Sequence, residues 1–227
     1  MHRLPKTLDR SAPIRIGAAN LLQEAILSGQ VKPGQEIPQL PLAKRLGLSQ
    51  SSVREALQEL EYRGVIRKRG RNWIVTELSE GELAGLYEVR ALLEPYACRL
   101  AAMLWTDAGT AQLEECMRRM RNAAARRNYR DHWNADIEFH QTIWRVQPNR
   151  SLERQLNLVC MPIFAHGVLQ HAAIPASSYQ RSLRWHALIL DLLRQRDAAG
   201  VEQAVRRIVR GFHRLNLKDF GHSARAS

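Results

Sequence analysis

The apolar positions of this chain change rhythm near residue 76. Before that point, short helical stripes give way to short β-like runs; after it, spacings of three and four continue almost to the end. Leu42, Ala43 and Leu46 form a brief stripe behind Pro38 and Pro41, residues tolerated in a first helical turn. Val53, Ala56, Leu57 and Leu60 form a second stripe. Between the two stand Gly47, able to take the positive φ that reverses the chain, and Ser49, a natural N-cap. Val65-Ile66 and Trp73-Ile74-Val75 then read as two strands around a Lys68–Asn72 tip with glycine at the bend. Helix, turn, helix and charged hairpin outline a winged helix.

After a linker at 76–79 the pattern predicts six helices, at about 80–104, 108–127, 130–145, 151–170, 179–196 and 198–219. Their breaks have chemical causes. Thr106 and Asp107 can cap the second, Pro148-Asn149 divides the third from the fourth, and Ile174-Pro-Ala-Ser-Ser178 is a loop able to cap the fifth. The expected fold is therefore mainly α, with a winged helix-turn-helix domain over residues 10–78 and an all-α six-helix bundle over 80–220.

A winged helix directs attention to duplex DNA. With the stripe of the second helix turned inward, Gln50, Ser51, Ser52 and Arg54 point outward from its first turns, where a recognition helix meets base edges and phosphates. Ser49 and Arg45 beside the turn, with Arg69, Gly70 and Arg71 at the hairpin tip, complete the candidate DNA-binding set. Charge agrees: the formal net charge is +12, and 13 Lys and Arg against 6 Asp and Glu fall in the first 76 residues. Cys98, Cys116 and Cys160 are odd in number and show no Cys-x-x-Cys spacing, so neither a disulfide framework nor a thiolate zinc site is indicated. With no apolar leader and no long apolar run, the expectation is a cytoplasmic protein without a membrane partner.

The stretch from about Ile14 to Thr76 resembles the DNA-binding domain of GntR-type bacterial transcriptional regulators. The family pattern of a helix ending before a Pro-Gly appears as Ile26-Leu-Ser-Gly-Gln-Val-Lys-Pro-Gly34, and its recognition core as Ser49-Gln-Ser-Ser-Val-Arg-Glu-Ala-Leu57. One departure is Gln50, where the family usually has arginine; glutamine matches adenine N6/N7 better than guanine and implies a different operator. Further on, Glu88-Val-Arg-Ala-Leu-Leu-Glu94 resembles the opening of the FCD effector domain of FadR-type GntR regulators, and six helices place it with the VanR-like branch.

Inside the bundle, polar groups fall on core stripes. Trp133, Asp136, Ile137, His140 and Trp144 keep spacings of three and four, which puts Asp136 and His140 one turn apart on the buried face. His186 shares a stripe with Ile189, Leu190 and Leu193, and His166 one with Val159 and Ile163. An isolated buried carboxylate is costly, and a metal ion is one way to compensate it. Asp136, His140 and His186 match three of the metal-ligand positions of many FCD domains; the resemblance puts Ile208 at the usual fourth, and His213 is five residues away. The alternatives are an Asp–His pair without metal and, for Arg90, an ion pair to Glu94 at i+4 rather than an effector carboxylate.

The reading is a homodimeric, ligand-responsive regulator, a repressor on a palindromic operator. Its effector is a small organic acid held by Arg90, His166 and a divalent transition metal such as zinc or nickel. Two competitors remain: a metal-dependent enzyme, against which stands the absence of a second inward carboxylate near Asp136, and an effector-free architectural DNA-binding protein.

Overall fold

The computed structural model describes residues 14–27, 30–170 and 176–223. Its first elements are α1 (Ile14–Leu27), β1 (Glu36–Ile37), α2 (Gln39–Leu46), α3 (Gln50–Tyr62), β2 (Ile66–Arg69) and β3 (Asn72–Val75). The predicted turn is there: Gly47 has φ 65° and its N–H reaches back to Ala43 O, closing α2. Ser49 caps α3 by accepting from Ser52 N at 3.1 Å. Val53, Ala56, Leu57 and Leu60 are all buried, so one polar face of α3 remains outside.

The hairpin is longer and tighter than the apolar residues alone suggest. β2 and β3 pair antiparallel from Ile66↔Val75 to Arg69↔Asn72, leaving a two-residue turn with Gly70 at φ 62°. Charged residues had hidden the outer part of β2, Arg67 to Arg69, while β3 gains only Asn72. β1 adds to β3, giving the order β1-β3-β2. With two residues it has no periodicity to detect. Lys68 lies over the Trp73 ring at 4.9 Å, and Arg69 meets Glu36 across the sheet at 3.5 Å.

Six helices follow: α4 (Glu80–Met103), α5 (Asp107–Ala125), α6 (Tyr129–Val146), α7 (Arg150–Gln170), α8 (Ala176–Arg194) and α9 (Ala198–Ser223). Ser79 and Glu82 form a capping box at the start of α4, and Thr106 caps α5. Gln147, preceding Pro148, is extended and ends α6, after which Asn149 Oδ1 accepts from Ser151 N and Leu152 N. α8 begins at Ala176, earlier than the expected Tyr179, so Ala176, Ser177 and Ser178 belong to its first turn. The rest of that expected loop, Ile174 and Pro175, lies outside the described residues.

The residues divide into two compact units. Met1–Leu78 with Met161–Ala172 form one, Ser79–Cys160 with Ala173–Ser227 the other, so the division passes through α7. Within the second unit α4 packs along α9, and α5 against α6 and α8. Leu113, Met120, Phe139, Ile143 and Trp144 are fully buried there. Trp105 and Trp133 are also core, while Ile137, expected on the buried stripe, is only half-buried. Among the described residues no helix is long and apolar enough to cross a membrane, and the three cysteines are buried and unpaired.

Candidate functional site

Two regions carry the candidate chemistry. In the first, Gln50, Ser51 and Arg54 are exposed on the opening turns of α3 and Ser52 is half-buried. The Ser49 hydroxyl also stands 2.8 Å from that of Ser51 and 2.9 Å from that of Ser52, which fixes the start of the helix. Arg45 is exposed at the end of α2, and Arg69, Gly70 and Arg71 are exposed at the hairpin tip. A polar helix start with a cationic hairpin in the same small unit suits a groove and its phosphates.

The second region lies within the bundle. α6 places Asp136 and His140 one turn apart, α8 brings His186 to them, and the three offer ligand atoms that all lie within 4.8 Å of one another. His186 Nε2 is 2.6 Å from Asp136 Oδ1, and His140 Nε2 is 3.8 Å from the same oxygen. From α4, Glu94 Oε1 stands 2.7 Å from His140 Nδ1, and Arg90 Nε donates to Glu94 Oε2 at 2.7 Å. Arg90, Glu94, His140 and His186 are all buried.

The hydrogen bonds dictate where the protons sit. A carbonyl only accepts, so His132 Nδ1, 3.2 Å from Met120 O, carries its proton, and His132 Nε2 accepts from the Ser182 hydroxyl at 3.2 Å. Likewise His186 Nδ1 donates to Ser182 O at 2.8 Å, which leaves Nε2 bare on a neutral ring. That bare nitrogen faces Asp136 Oδ1. Two lone pairs at such a distance need a cation between them, either a proton or a metal ion. Glu94 Oε1, Asp136 Oδ1 and His186 Nε2 are buried, and none has an aligned hydrogen bond despite these short contacts.

The electrostatics point the same way. Burial pushes Asp136 up, but His186, His140 and His132 together hold it well below the usual carboxylate range. Glu94 is also raised by burial and is brought down to about 2 by Arg90 and His140. Burial lowers His186, yet the Asp136 carboxylate and the Ser182 carbonyl raise it overall. His132 is lowered, chiefly by burial, in keeping with the neutral ring its two partners require. An oxygen and two imidazole nitrogens form a donor set that suits a first-row divalent metal, and two of the unsatisfied atoms, Asp136 Oδ1 and His186 Nε2, are ones such an ion would meet.

Glu94 was the residue missed. The expectation of no second inward carboxylate near Asp136 is wrong: Glu94 is fully buried and touches His140. Its signal was present, since Glu94 lies four residues after Arg90 and four before Cys98 on one stripe, but a Glu at i+4 from Arg reads as a surface pair. The Arg90–Glu94 ion pair is formed, in the core rather than on the surface. His166 is buried on the part of α7 that belongs to the first unit, outside the cluster's own unit. Ile208 is half-buried on α9, and the side chain of His213 lies outside the described residues.

Comparisons with known proteins match a family to each part of the chain. The family described as "Bacterial regulatory proteins, gntR family" matches residues 17–75, and the FCD domain matches residues 85–211. The chain is 30% identical to the Glc operon transcriptional activator of Escherichia coli K12, with 94% of each chain covered. It is 25% identical to the transcriptional repressor RspR of the same organism, over 87% of this chain and 86% of that one. Among solved structures, E. coli McbR/YncC superposes with a TM-score of 0.73 over 92% of this chain and 99% of its own, at 20% identity, a likeness of fold.

The buried Arg90–Glu94 pair yields a stability test. Arg90→Ala leaves the Glu94 carboxylate in the core without its guanidinium and is expected to cost about 3–5 kcal/mol in urea unfolding. The double change Arg90→Met/Glu94→Leu removes both charges and is expected to cost far less. Equal losses in the two proteins would mean that the charges do not support each other.

Proposed function

The chain belongs to the GntR family of bacterial regulatory proteins and is a transcriptional regulator with an FCD domain; on that premise we propose a cytoplasmic homodimer that represses from a palindromic operator and responds to a small carboxylate bound through a divalent metal. The observation that carries the ligand half is the convergence of Asp136, His140 and His186 on one point, with a bare His186 Nε2 against a buried carboxylate. Related regulators include both an activator and a repressor.

Asp136 Oδ1 and the Nε2 atoms of His140 and His186 would hold the metal. When bound, it supplies a Lewis-acidic position for a carboxylate oxygen. Charge counting then narrows the effector. Without metal, the Asp136, Glu94 and Arg90 charges sum to minus one, which a proton on His186 neutralises. With a divalent ion and neutral histidines the sum is plus one, and a monocarboxylate restores neutrality in a buried site where excess charge is costly. Arg90 contributes through this balance.

Pairing of two chains is supported by Val89, Leu92, Tyr96 and Met103, which are exposed at spacings of three, four and seven along α4. Two copies joined there would present two α3 helices to a two-fold operator. The effector must bind the DNA-competent and DNA-incompetent dimers with different affinity, or it shifts nothing.

For readout, Gln50 is proposed to touch a base edge and Arg54 a phosphate, with Ser49, Ser51, Ser52, Arg45 and the tip residues Arg69, Gly70 and Arg71 positioning the domain. Gln50→Ala is then expected to relax preference at one base pair by about 1–3 kcal/mol, while Arg54→Ala weakens all operators alike. A mobility-shift series over single-base operator variants measures both; unchanged preference in Gln50→Ala would remove it from the reading set.

For the metal, elemental analysis of purified protein is expected to give one divalent transition metal per chain, lost in His140→Ala and His186→Ala. If wild type and both variants carry the same trace amount, the Asp–His pair without metal is the correct reading.

A further inference from the structure

We propose that Glu94 is a positioning residue for the metal site: from behind His140 its carboxylate holds the Nδ1 proton and so turns the Nε2 lone pair onto Asp136 and His186. The inference rests on the metal reading above and goes beyond the three ligand residues.

An ionised carboxylate constrains the groups around it. It accepts and never donates, so whatever faces it at hydrogen-bond distance must bring the proton. His140 Nδ1 is 2.7 Å from Glu94 Oε1, so the neutral tautomer that can serve as a metal ligand has its proton at Nδ1 and its lone pair at Nε2. Nε2 is the nitrogen that looks toward Asp136 Oδ1, at 3.8 Å. The two ring nitrogens point away from each other, so Glu94 stands behind the ligand rather than among the ligands.

Arg90 holds the other end. Its Nε donates to Glu94 Oε2 at 2.7 Å while Oε1 stands against His140 Nδ1, so turning the carboxylate gives up one of the two contacts. Glu94 has no solvent exposure, which removes water as a competing donor. The guanidinium also supplies the opposite charge that an ionised Glu94 requires in the core.

His186 is treated in the same way by a different group. Its Nδ1 donates to the Ser182 carbonyl at 2.8 Å, again leaving Nε2 toward Asp136. Both histidines therefore have Nδ1 tied to an oxygen and Nε2 turned inward, one by a neutral dipole from its own helix and one by a charge from α4. Oxygen partners on the far nitrogen of a ligand histidine fix its tautomer and raise its basicity, and losing one weakens metal binding by about 10- to 100-fold.

Glu94→Gln tests this in an isosteric side chain. The Arg90 guanidinium, which can only donate, takes the amide oxygen, so the NH2 turns toward His140 and its Nδ1 must accept rather than donate. Two readouts apply: affinity for zinc or nickel alone, by competition with a chromophoric chelator, and the His140 tautomer in metal-free protein, by long-range 1H–15N correlation. Wild type is expected to show the Nδ1–H form. Glu94→Gln is expected to bind metal about 10- to 100-fold more weakly and to populate the Nε2–H form. Should Glu94→Gln fail to fold, Arg90→Met/Glu94→Leu, which strands neither charge, is expected to show the same two changes. Wild type that takes up no metal overturns the metal reading, and this inference with it. Wild type that binds, with variants equally tight and His140 unchanged, overturns this inference alone.

Discussion

The second unit is organised around two carboxylates drawn into the helical core, Glu94 wholly buried and Asp136 half-buried with its Oδ1 atom enclosed. An ionised group in a helical core costs several kcal/mol unless opposite charge and hydrogen bonds surround it. Asp136 and Glu94 meet that demand by drawing three helices together: α4 supplies Glu94 and Arg90, α6 supplies Asp136 and His140, and α8 supplies His186. α5 contributes through the Met120 carbonyl, which fixes His132 and, through Ser182, the far side of His186. The apolar packing of Phe139, Ile143 and Trp144 could be satisfied by many registers between these helices. Charge and tautomer requirements permit few.

Such a cluster suits a sensor because its protonation and its occupancy are alternatives. One proton on His186 or one metal ion can satisfy the same pair of atoms, and the two states differ in net charge and in the spacing they ask of α6 and α8. In the first unit the chemistry is simpler. The cap at Ser49 and the αL residue Gly47 set how α3 leaves the turn, and the buried Leu57 and Leu60 determine which of its faces stays outside.

Much of this was legible in the sequence because it rests on local rules. The turn needs a residue with positive φ and a cap, and Gly47 and Ser49 declare themselves. The six bundle helices follow from uninterrupted spacings and clear breaks, and Asp136, His140 and His186 stood out as polar residues on apolar stripes. What was not legible depended on partners distant in sequence. Glu94 carries the same i+4 relation to Arg90 that an exposed pair would, and only the meeting of α4 with α6 shows it to be core. His132 gave no signal for a similar reason: its partners Met120 and Ser182 lie 12 and 50 residues away. The two-residue β1 has too few positions for a pattern.

The central claim is that an occupied bundle site changes the affinity of the winged helices for DNA. The most direct test is operator titration of the metal-loaded protein, with and without the tightest-binding monocarboxylate from a thermal-shift series. The reciprocal titration, carboxylate into protein with and without operator, completes the cycle. The account predicts that a saturating carboxylate shifts operator affinity by about 5- to 150-fold, and that operator shifts carboxylate affinity by the same factor. A carboxylate that binds the bundle tightly while operator affinity stays unchanged would contradict it.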